Sequence, residues 1–385
     1  MADEASALAI REGICAQIGG SARAAGQTLL YVPRLPRSGN TLACKVLGAC
    51  SAKQTRGACG VAVDEAAAAS ARASCPATSA MFTFYGTAKL ASSNFACSAG
   101  INGTDPACQS SNGDIAATWQ FLGTAKLPGA VMVATERFPD FTVHPGPIVR
   151  PATRMLALLR DPGERAQSAF NYMLRECVCN FKYQWCRQFT SFRYSNRQGR
   201  LCDGHTPRHG FAAAIGVMRT HGNAPWPITS AEEHHVLGRF AAGMVKEVYA
   251  PWFGSFQTTS YQSGGAGAWH VSTALAKSTL KNCFTWVGLV EELPLSLLLL
   301  KAEMPGFFGQ LDVTAFDWAP DSSDSRPAAT AANESGHPYL RSHLLTRDYD
   351  IYDTEKARLL HRAKRAGIPV VQSPVAGAAK TDLRK

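Results

Sequence analysis

A short apolar run that leads into a turn of small and basic residues is the feature that most constrains the fold of this chain. The run, Thr28 to Val32, predicts a buried strand, and Asn40 to Leu47 has the character of a helix. A turn between a strand and a helix N-terminus directs backbone N–H groups and the helix dipole at one point, which favours an anion there. The pattern predicts an α/β fold, with a central parallel sheet flanked by helices and a ligand at its carboxyl edge.

The side chains of this turn add further donors for an anion. Arg37 supplies a cation, Ser38 and Thr41 supply hydroxyl groups, and Gly39 lets the backbone approach a ligand closely. The turn lacks the first Gly and the Lys of the G-x-x-x-x-G-K-[ST] nucleotide-triphosphate loop. An ordinary surface turn is the alternative interpretation, because Pro, Ser and Gly also build such turns.

A second strand and helix begin near the middle of the chain. The run Arg154 to Leu159 predicts a buried strand, Asp161 suits a helix N-cap, and Pro162 suits the first helical position. Arg160 then falls at the carboxyl end of the strand, where open α/β sheets bind ligands. Ser168 lies about two helical turns further on and could reach the same anion. A plain strand–helix joint with a surface arginine is the alternative.

Both segments resemble motifs of one enzyme family. Pro36 to Thr41 resembles the 5′-phosphosulfate loop of sulfotransferases that use 3′-phosphoadenosine 5′-phosphosulfate (PAPS). The sequence R-D-P-x-x-R-x-x-S, from Arg160 to Ser168, resembles the 3′-phosphate signature of the same family, in the same order. Three further segments resemble later parts of the Golgi carbohydrate sulfotransferases, namely Phe284–Leu297, Gln257–Gly264 and Asp348–Tyr352. The resemblance is patchy, and it implies a P-loop-like sulfotransferase fold.

The resemblance also implies a reaction and a set of site residues. The sulfuryl group would move from PAPS, the co-substrate, to a hydroxyl or amine of an acceptor, with a carbohydrate as the favoured acceptor and no metal required. Arg37 would stabilise developing charge, and Arg160 and Ser168 would bind the 3′-phosphate. The residues implied for the 5′ side of the donor are Arg37, Ser38, Gly39, Asn40 and Thr41.

The general base that deprotonates the acceptor is the least defined of the implied groups. Glu65 follows the first loop at a plausible distance, and Glu136 and His144 are rivals that precede the second strand. Asp64 and Glu65 could instead simply favour the N-terminus of an Ala-rich helix. The sequence favours Glu65 narrowly.

The charge of the chain restricts its partners. The 385 residues carry a net charge of +10, which suggests an anionic partner. The Lys and Arg residues are dispersed apart from Lys356–Arg365 and the tail Lys380–Lys385, and no nucleic-acid-binding motif is found, so nucleic acid is not expected. Two further functions stay open, namely a nucleotide-binding phosphoryl-transfer enzyme and a non-catalytic glycan-binding module of the same fold.

The number and spacing of the cysteines indicate the redox character of the cellular compartment in which the chain resides. Twelve cysteines, many of them in two local clusters, suggest disulfides of unspecified pairing in an oxidising compartment. A zinc site built from Cys177, Cys179, Cys186 and Cys202 is a weaker alternative, because a C-x-C spacing suits zinc poorly. Glycosylation sequons at Asn102 and Asn333 agree with a Golgi or other secretory lumen.

The organisation follows from these segments. No signal peptide or membrane anchor is visible in this sequence. Ala231 to Phe253 predicts one continuous helix. The expected units are a weakly structured leader (1–27), a single sulfotransferase domain (28–366) with loop-rich, Cys-rich insertions at about 50–128 and 176–230, and a basic tail (367–385).

Overall fold

The structure is a computed structural model. It describes residues 4–20, 28–33, 35, 38, 53–54, 82–86, 130–135, 153–181, 186, 189, 192, 201–222, 224–227, 230–257, 269–309, 311, 313 and 337–370. All statements below concern these residues.

The described strands, in chain order, are β1 (Thr28–Pro33), β2 (Lys53–Gln54), β3 (Phe82–Gly86), β4 (Ala130–Thr135), β5 (Thr153–Leu159), β6 (Cys202–Asp203), β7 (Thr206–Pro207), β8 (Ser255–Gln257), β9 (Trp269–Val271) and β10 (Phe284–Leu289). Six of these described strands form one sheet in the order β10-β5-β1-β4-β3-β2, and every neighbouring pair in it is parallel. The pairs β6–β7 and β8–β9 are short antiparallel ribbons.

The described helices are α1 (Glu4–Gly20), α2 (Pro162–Met173), α3 (Phe211–His221), α4 (Glu233–Met244), α5 (Tyr249–Gly254), α6 (Thr273–Cys283), α7 (Leu293–Glu303), α8 (Pro305–Phe308), α9 (His337–Tyr339) and α10 (Thr346–Arg365). Two π-helical turns, Leu174–Cys179 and Leu340–Leu344, continue α2 and α9. The protein is therefore a mixed α/β structure in which helices flank a small parallel sheet. Among the described residues, no helix combines the length and the apolar character that crossing a membrane requires.

The strands predicted from Thr28 and from Arg154 are confirmed as neighbours in the sheet. β1 pairs in parallel with β5, with Leu29 opposite Thr153 and Tyr31 opposite Met155. Residues Met155 to Leu159 are all buried, as expected for a parallel strand covered on both faces. Because parallel strands end at the same edge, the two predicted anion-binding loops leave that edge side by side.

Two buried clusters organise the described residues. The sheet core packs against β5 and β10 and comprises Cys15, Leu35, Met155, Ala157, Leu159, Val248, Tyr249, Ala250, Phe253, Ala276, Leu280, Cys283, Phe284, Val287, Leu289, Leu299, Ile351, Tyr352 and Leu359. The helical core lies among α2, α3 and α4, and at its centre the ring of Phe170 meets the rings of Phe211 and Phe240 in T-shaped, edge-to-face contacts.

The structure corrects two expectations about helices. The segment 231–253 is not one helix, because α4 ends at Met244 and α5 begins at Tyr249. The carboxylate of Asp348 accepts hydrogen bonds from the backbone N–H groups of Val248 and Ala250, so a distant side chain fixes the start of α5. The expected insertion at 176–230 contains α3, which contributes Phe211 to the helical core and is not merely loop.

The expected leader also differs from the structure. Residues 4–20, predicted to be weakly structured, form α1, which packs along α6. The buried Arg11 donates hydrogen bonds to Phe253 O (3.3 Å) and Thr279 Oγ1 (3.1 Å). These contacts are tertiary, so the local sequence of α1 gave no sign of them.

Three disulfides among the described residues confirm the expectation of disulfide bonding. Cys177 pairs with Cys186, with Cα atoms 4.9 Å apart, and Cys179 pairs with Cys202, at 5.7 Å. This pairing removes the zinc alternative for these four residues. The third bond, Cys15–Cys283, joins α1 to the end of α6 and was not predicted. The cysteine cluster from Cys44 to Cys108 and both sequons lie outside the described residues.

Candidate functional site

The loop that follows β5 has the N-cap geometry expected from its sequence. The Asp161 carboxylate accepts hydrogen bonds from the backbone N–H groups of Gly163 (2.9 Å) and Glu164 (3.2 Å). Pro162 occupies the first position of α2, where a missing N–H costs nothing. The helix therefore starts immediately after Arg160, at the carboxyl edge of the sheet.

The hydroxyl of Tyr249 links this loop to the loop that follows β1. Tyr249 Oη donates to Arg160 O (2.5 Å) and accepts from Arg160 N (2.9 Å). Ser38 Oγ lies 3.2 Å from the same oxygen. Because the phenol has a single hydrogen, already donated to Arg160, Ser38 must be the donor in this last bond. One buried hydroxyl thus connects the two loops that the sequence assigned to one anionic ligand.

Three further side chains fix the backbone of the second loop. Glu291 Oε1 accepts from Asp161 N (2.9 Å), and Tyr352 Oη donates to the other oxygen of Glu291 (2.7 Å). Tyr349 Oη donates to Asp161 Oδ1 (3.1 Å) and accepts from Gly163 N (3.2 Å). We call Tyr249, Glu291, Tyr349 and Tyr352 the loop brace. They come from α5, from the turn that follows β10 and from α10, and together they hold the backbone of Arg160, Asp161 and Gly163.

A buried ion pair lies beneath the loop brace. Arg165, on α2, and Asp348, on α10, are 2% and 0% exposed, and Arg165 Nη2 is 3.9 Å from Asp348 Oδ2. Arg165 Nη2 also donates to Lys246 O (2.6 Å). The carboxylate accepts from Val248 N (2.7 Å) and Ala250 N (3.0 Å). A buried charge is tolerated when it is paired and hydrogen-bonded in this way, and here the pair fixes the helix that carries Tyr249.

Burial controls the protonation of the brace. Desolvation raises the pKa of the Tyr249, Tyr349 and Tyr352 hydroxyls above the usual value for tyrosine, so all three stay protonated and able to donate. Burial likewise raises the pKa of Glu291, while the hydrogen bonds from Asp161 N and Tyr352 oppose that shift. The three tyrosines of the brace therefore carry no charge, and none of them neutralises the positive charge of Arg160.

Arg160 precedes the N-cap of α2, and Ser168 lies in the second turn of that helix. Arg160 Nη2 contacts Glu164 Oε2 at 3.3 Å, and the two side chains are 19% and 29% exposed. Glu164 and Ser168 are four residues apart, so they share one face of the helix. Ser168 is partly buried on that face. A guanidinium has five N–H donors, so the contact with Glu164 leaves Arg160 able to bind an anion as well.

The structure describes three of the predicted binding residues, Ser38, Arg160 and Ser168, and it joins the first two through Tyr249. The other predicted residues lie outside the described residues: Arg37, Gly39, Asn40, Thr41 and Glu65, together with the rival bases Glu136 and His144.

Sequence reasoning assigned no role to the brace residues. Glu291, Tyr349 and Tyr352 stood in segments noted only for their family resemblance. Tyr249 stood inside the predicted continuous helix and was given no role of its own. A buried tyrosine needs a hydrogen-bond partner, and this rule was the one available signal that Tyr249 has a polar task.

Comparison with known proteins adds no relative to this picture: no family model matches the chain, and neither a curated protein nor a solved structure matches it significantly.

Proposed function

We propose that the protein is a PAPS-dependent sulfotransferase with a P-loop-like sulfotransferase fold, and that a carbohydrate is its favoured acceptor. The observation that carries the proposal is the hydrogen-bond chain from Ser38 through Tyr249 to Arg160. Two motifs that stand about 120 residues apart in sequence serve one nucleotide only if their loops adjoin. The parallel pairing of β1 with β5 supports the same arrangement.

The proposed reaction is an in-line transfer. The acceptor oxygen attacks sulfur, the bond from sulfur to the 5′-phosphate oxygen breaks, and the acceptor proton passes to a base, for which Glu65 is the first candidate and Glu136 and His144 are rivals. Arg37 stabilises charge on the leaving phosphate, and a permanently charged guanidinium suits this task better than proton transfer. The backbone and side chains from Ser38 to Thr41 bind the 5′ side.

The 3′-phosphate is assigned to Arg160 and Ser168. The loop brace fixes the backbone on either side of Arg160 without using its guanidinium. Such pre-ordering lowers the entropy lost when the donor binds. The phosphate would share Arg160 with Glu164, whose contact at 3.3 Å is partly exposed to water and correspondingly weak.

Two alternatives have specific sequence consequences. A phosphoryl-transfer enzyme of this architecture is expected to carry a Lys in the first loop and an acidic magnesium ligand at a strand end, and the sequence shows neither. A non-catalytic glycan-binding module would not need a donor cradle, yet Arg37, Ser38, Arg160 and Ser168 are all present.

The three disulfides among the described residues support a secretory location, and a Golgi location is part of the proposal.

The decisive experiment separates the two phosphates of the donor. Arg160→Ala should weaken binding of PAPS by about 2–3 kcal/mol, because it removes charge-assisted bonds to the 3′-phosphate. Binding of adenosine 5′-phosphosulfate, which lacks that phosphate, should weaken far less. Isothermal titration calorimetry measures both, and Arg219→Ala, on the exposed face of α3, is the matched control. Equal losses for the two nucleotides would contradict the assignment of Arg160.

Activity is tested by transfer of labelled sulfate from PAPS to a panel of glycans, peptides and small alcohols. Arg37→Ala should reduce turnover more than donor affinity, because its partner charge grows as the sulfuryl group departs. Absence of both PAPS binding and sulfate transfer in the wild-type protein would overturn the proposal.

A further inference from the structure

The connection into α4 carries a cluster of metal-binding side chain types. Glu232 precedes the helix, and His234 and His235 lie in its first turn. Glu232 Oε2 is 3.4 Å from His234 Nε2 and 3.4 Å from His235 Nδ1. The three potential ligand atoms all lie within 4.8 Å of one another.

The two separations of 3.4 Å from Glu232 are those of atoms that share one tetrahedral metal ion. With metal–nitrogen and metal–oxygen bonds of about 2.0–2.2 Å, ligand atoms at the corners of a tetrahedron lie roughly 3.3–3.6 Å apart. We propose that Glu232, His234 and His235 bind one divalent transition-metal ion of the zinc class, with a fourth position open to water. Two imidazoles and a carboxylate are the donor set that zinc takes in three-ligand sites.

Ser230 prepares His235 for this role. Ser230 Oγ accepts from Glu232 N (3.3 Å) and lies 2.7 Å from His235 Nδ1. The hydroxyl hydrogen can then be donated to Nδ1, which suits the neutral imidazole with an unprotonated Nδ1, the form that binds a metal. The ion would take the place of that hydrogen, with little movement of a side chain that is only 19% exposed.

His221, at the end of α3, adds a second observation. Its ring stacks on Trp226, with centroids 3.6 Å apart, and lies 6.0 Å from the ring of His235. In the described structure its Nε2 atom is buried and has no hydrogen-bond partner. A buried unsatisfied nitrogen is costly. A water bound to the metal would give this nitrogen a partner and fill the open position.

Glu233 is the matched control for the site. Its carboxylate contacts His209 and lies 3.9 Å from Arg208, so it is engaged by other groups although it neighbours the cluster in sequence.

The competing explanation of the cluster is an ion pair of Glu232 with protonated histidines. That explanation needs no metal, and the two explanations predict opposite results below.

The experiment uses the full-length, untagged protein after treatment with a chelator. Zn²⁺ is titrated by calorimetry, and Co²⁺ is titrated by visible absorption, which reports tetrahedral coordination. We expect one ion bound with high affinity at neutral pH. The double variant His234→Ala/His235→Ala should bind at least roughly tenfold more weakly. Glu233→Gln and His361→Ala should bind like the wild type.

Two results would overturn the proposal. One is the absence of saturable Zn²⁺ binding to the wild-type protein at neutral pH. The other is unchanged affinity in the double variant, which would locate the bound metal elsewhere. His234 is 56% exposed, so the single variant His234→Gln tests the same ligand with little risk to folding. None of these readouts depends on the proposed sulfotransferase activity.

Discussion

The sheet core and the helical core are assembled in different ways. The helical core comes mostly from one continuous part of the chain, from Ala166 to Val245, and is closed by two local disulfides. The sheet core collects residues from Cys15 to Leu359 and depends on strands that meet from far apart in sequence. Local packing thus builds the first core, and long-range pairing builds the second.

The proposed site lies where these two cores meet. Tyr249 belongs to the sheet core and Tyr349 to the helical core, and both hold the loop from Arg160 to Gly163. The ion pair of Arg165 with Asp348 also spans this boundary. The geometry of this loop therefore depends on how the two cores are joined as well as on each core alone. The following variants separate these contributions.

The largest effect is expected at the junction. Asp348→Ala leaves Arg165 buried without its partner and removes the acceptor of two backbone N–H groups at the start of α5. We expect a loss of about 4 kcal/mol in the free energy of unfolding. Asp350→Ala, two residues along α10, removes an exposed contact with Lys277 and should cost less than about 1 kcal/mol. Chemical denaturation measures both, and equal losses would contradict a special role for the junction.

A smaller loss of stability is expected in the helical core, and its effects should remain confined to that core. Phe240 is fully buried, and its ring lies 5.4 Å from that of Phe170 and 5.3 Å from that of Phe192. Phe240→Ala should cost about 3 kcal/mol through lost packing and a cavity. Hydrogen exchange should accelerate in α3 and α4 while the amides of β5 and β10 stay protected. Equal acceleration in both cores would show that they unfold as one unit.

The free energy of unfolding should depend on pH through a buried glutamate that packs near the sheet core. Burial raises the pKa of Glu355, on α10, to about 7, although the charges of Arg358 and Arg362 oppose the shift. An unfolded Glu titrates near 4.5, so the folded state retains a proton that the unfolded chain releases. The stabilisation is complete below about pH 4.5 and is lost as the pH rises to about 7.

Glu355→Gln should remove this dependence. Between pH 5 and 8, the wild type should lose on the order of 2 kcal/mol that the variant keeps. Denaturation at a series of pH values gives the difference directly. Lys356→Gln, which removes a partly exposed contact with Glu292 at 3.2 Å, serves as the control on the same helix. Parallel pH curves for Glu355→Gln and wild type would refute the assignment.

The smallest change in stability should come from the link between the loops. Tyr249→Phe keeps the ring and removes the hydroxyl that Arg160 and Ser38 share. We expect a loss of about 1 kcal/mol. If the proposed function is correct, donor affinity should fall as well, because the two loops are no longer held together. Tyr339→Phe is the control, since its ring stacks on His343 and its hydroxyl is not part of the brace. No change in either quantity would remove Tyr249 from the site.

The sheet was predictable because its strands are marked locally. Thr28–Val32 and Arg154–Leu159 are short apolar runs, and the residues Asp161 and Pro162 mark the following helix start unambiguously. Adjacency of the two loops followed from their assumed common ligand, and the parallel pairing bears it out. For the fold class, local pattern and chain order were therefore sufficient.

Most of the features that sequence reasoning missed depend on contacts between distant segments. The break between α4 and α5 is fixed by Asp348, which is about 100 residues away. The docking of α1 depends on Arg11 and Cys15. The arrangement of Glu232 with two histidines needs the three-dimensional turn before α4. Hydrophobic periodicity carries no information about such partners.

The Cys15–Cys283 bond has a consequence for biosynthesis. Its two cysteines are 268 residues apart, so the ribosome must complete almost three-quarters of the 385-residue chain before the bond can form. The Cys177–Cys186 and Cys179–Cys202 bonds span 9 and 23 residues and can close while α6 is still unsynthesised. At about 5–20 residues per second, synthesis from Cys202 to Cys283 takes several seconds, which exceeds the time many domains need to fold. The nascent chain must therefore keep Cys15 from premature pairing with the cysteines that emerge before its partner.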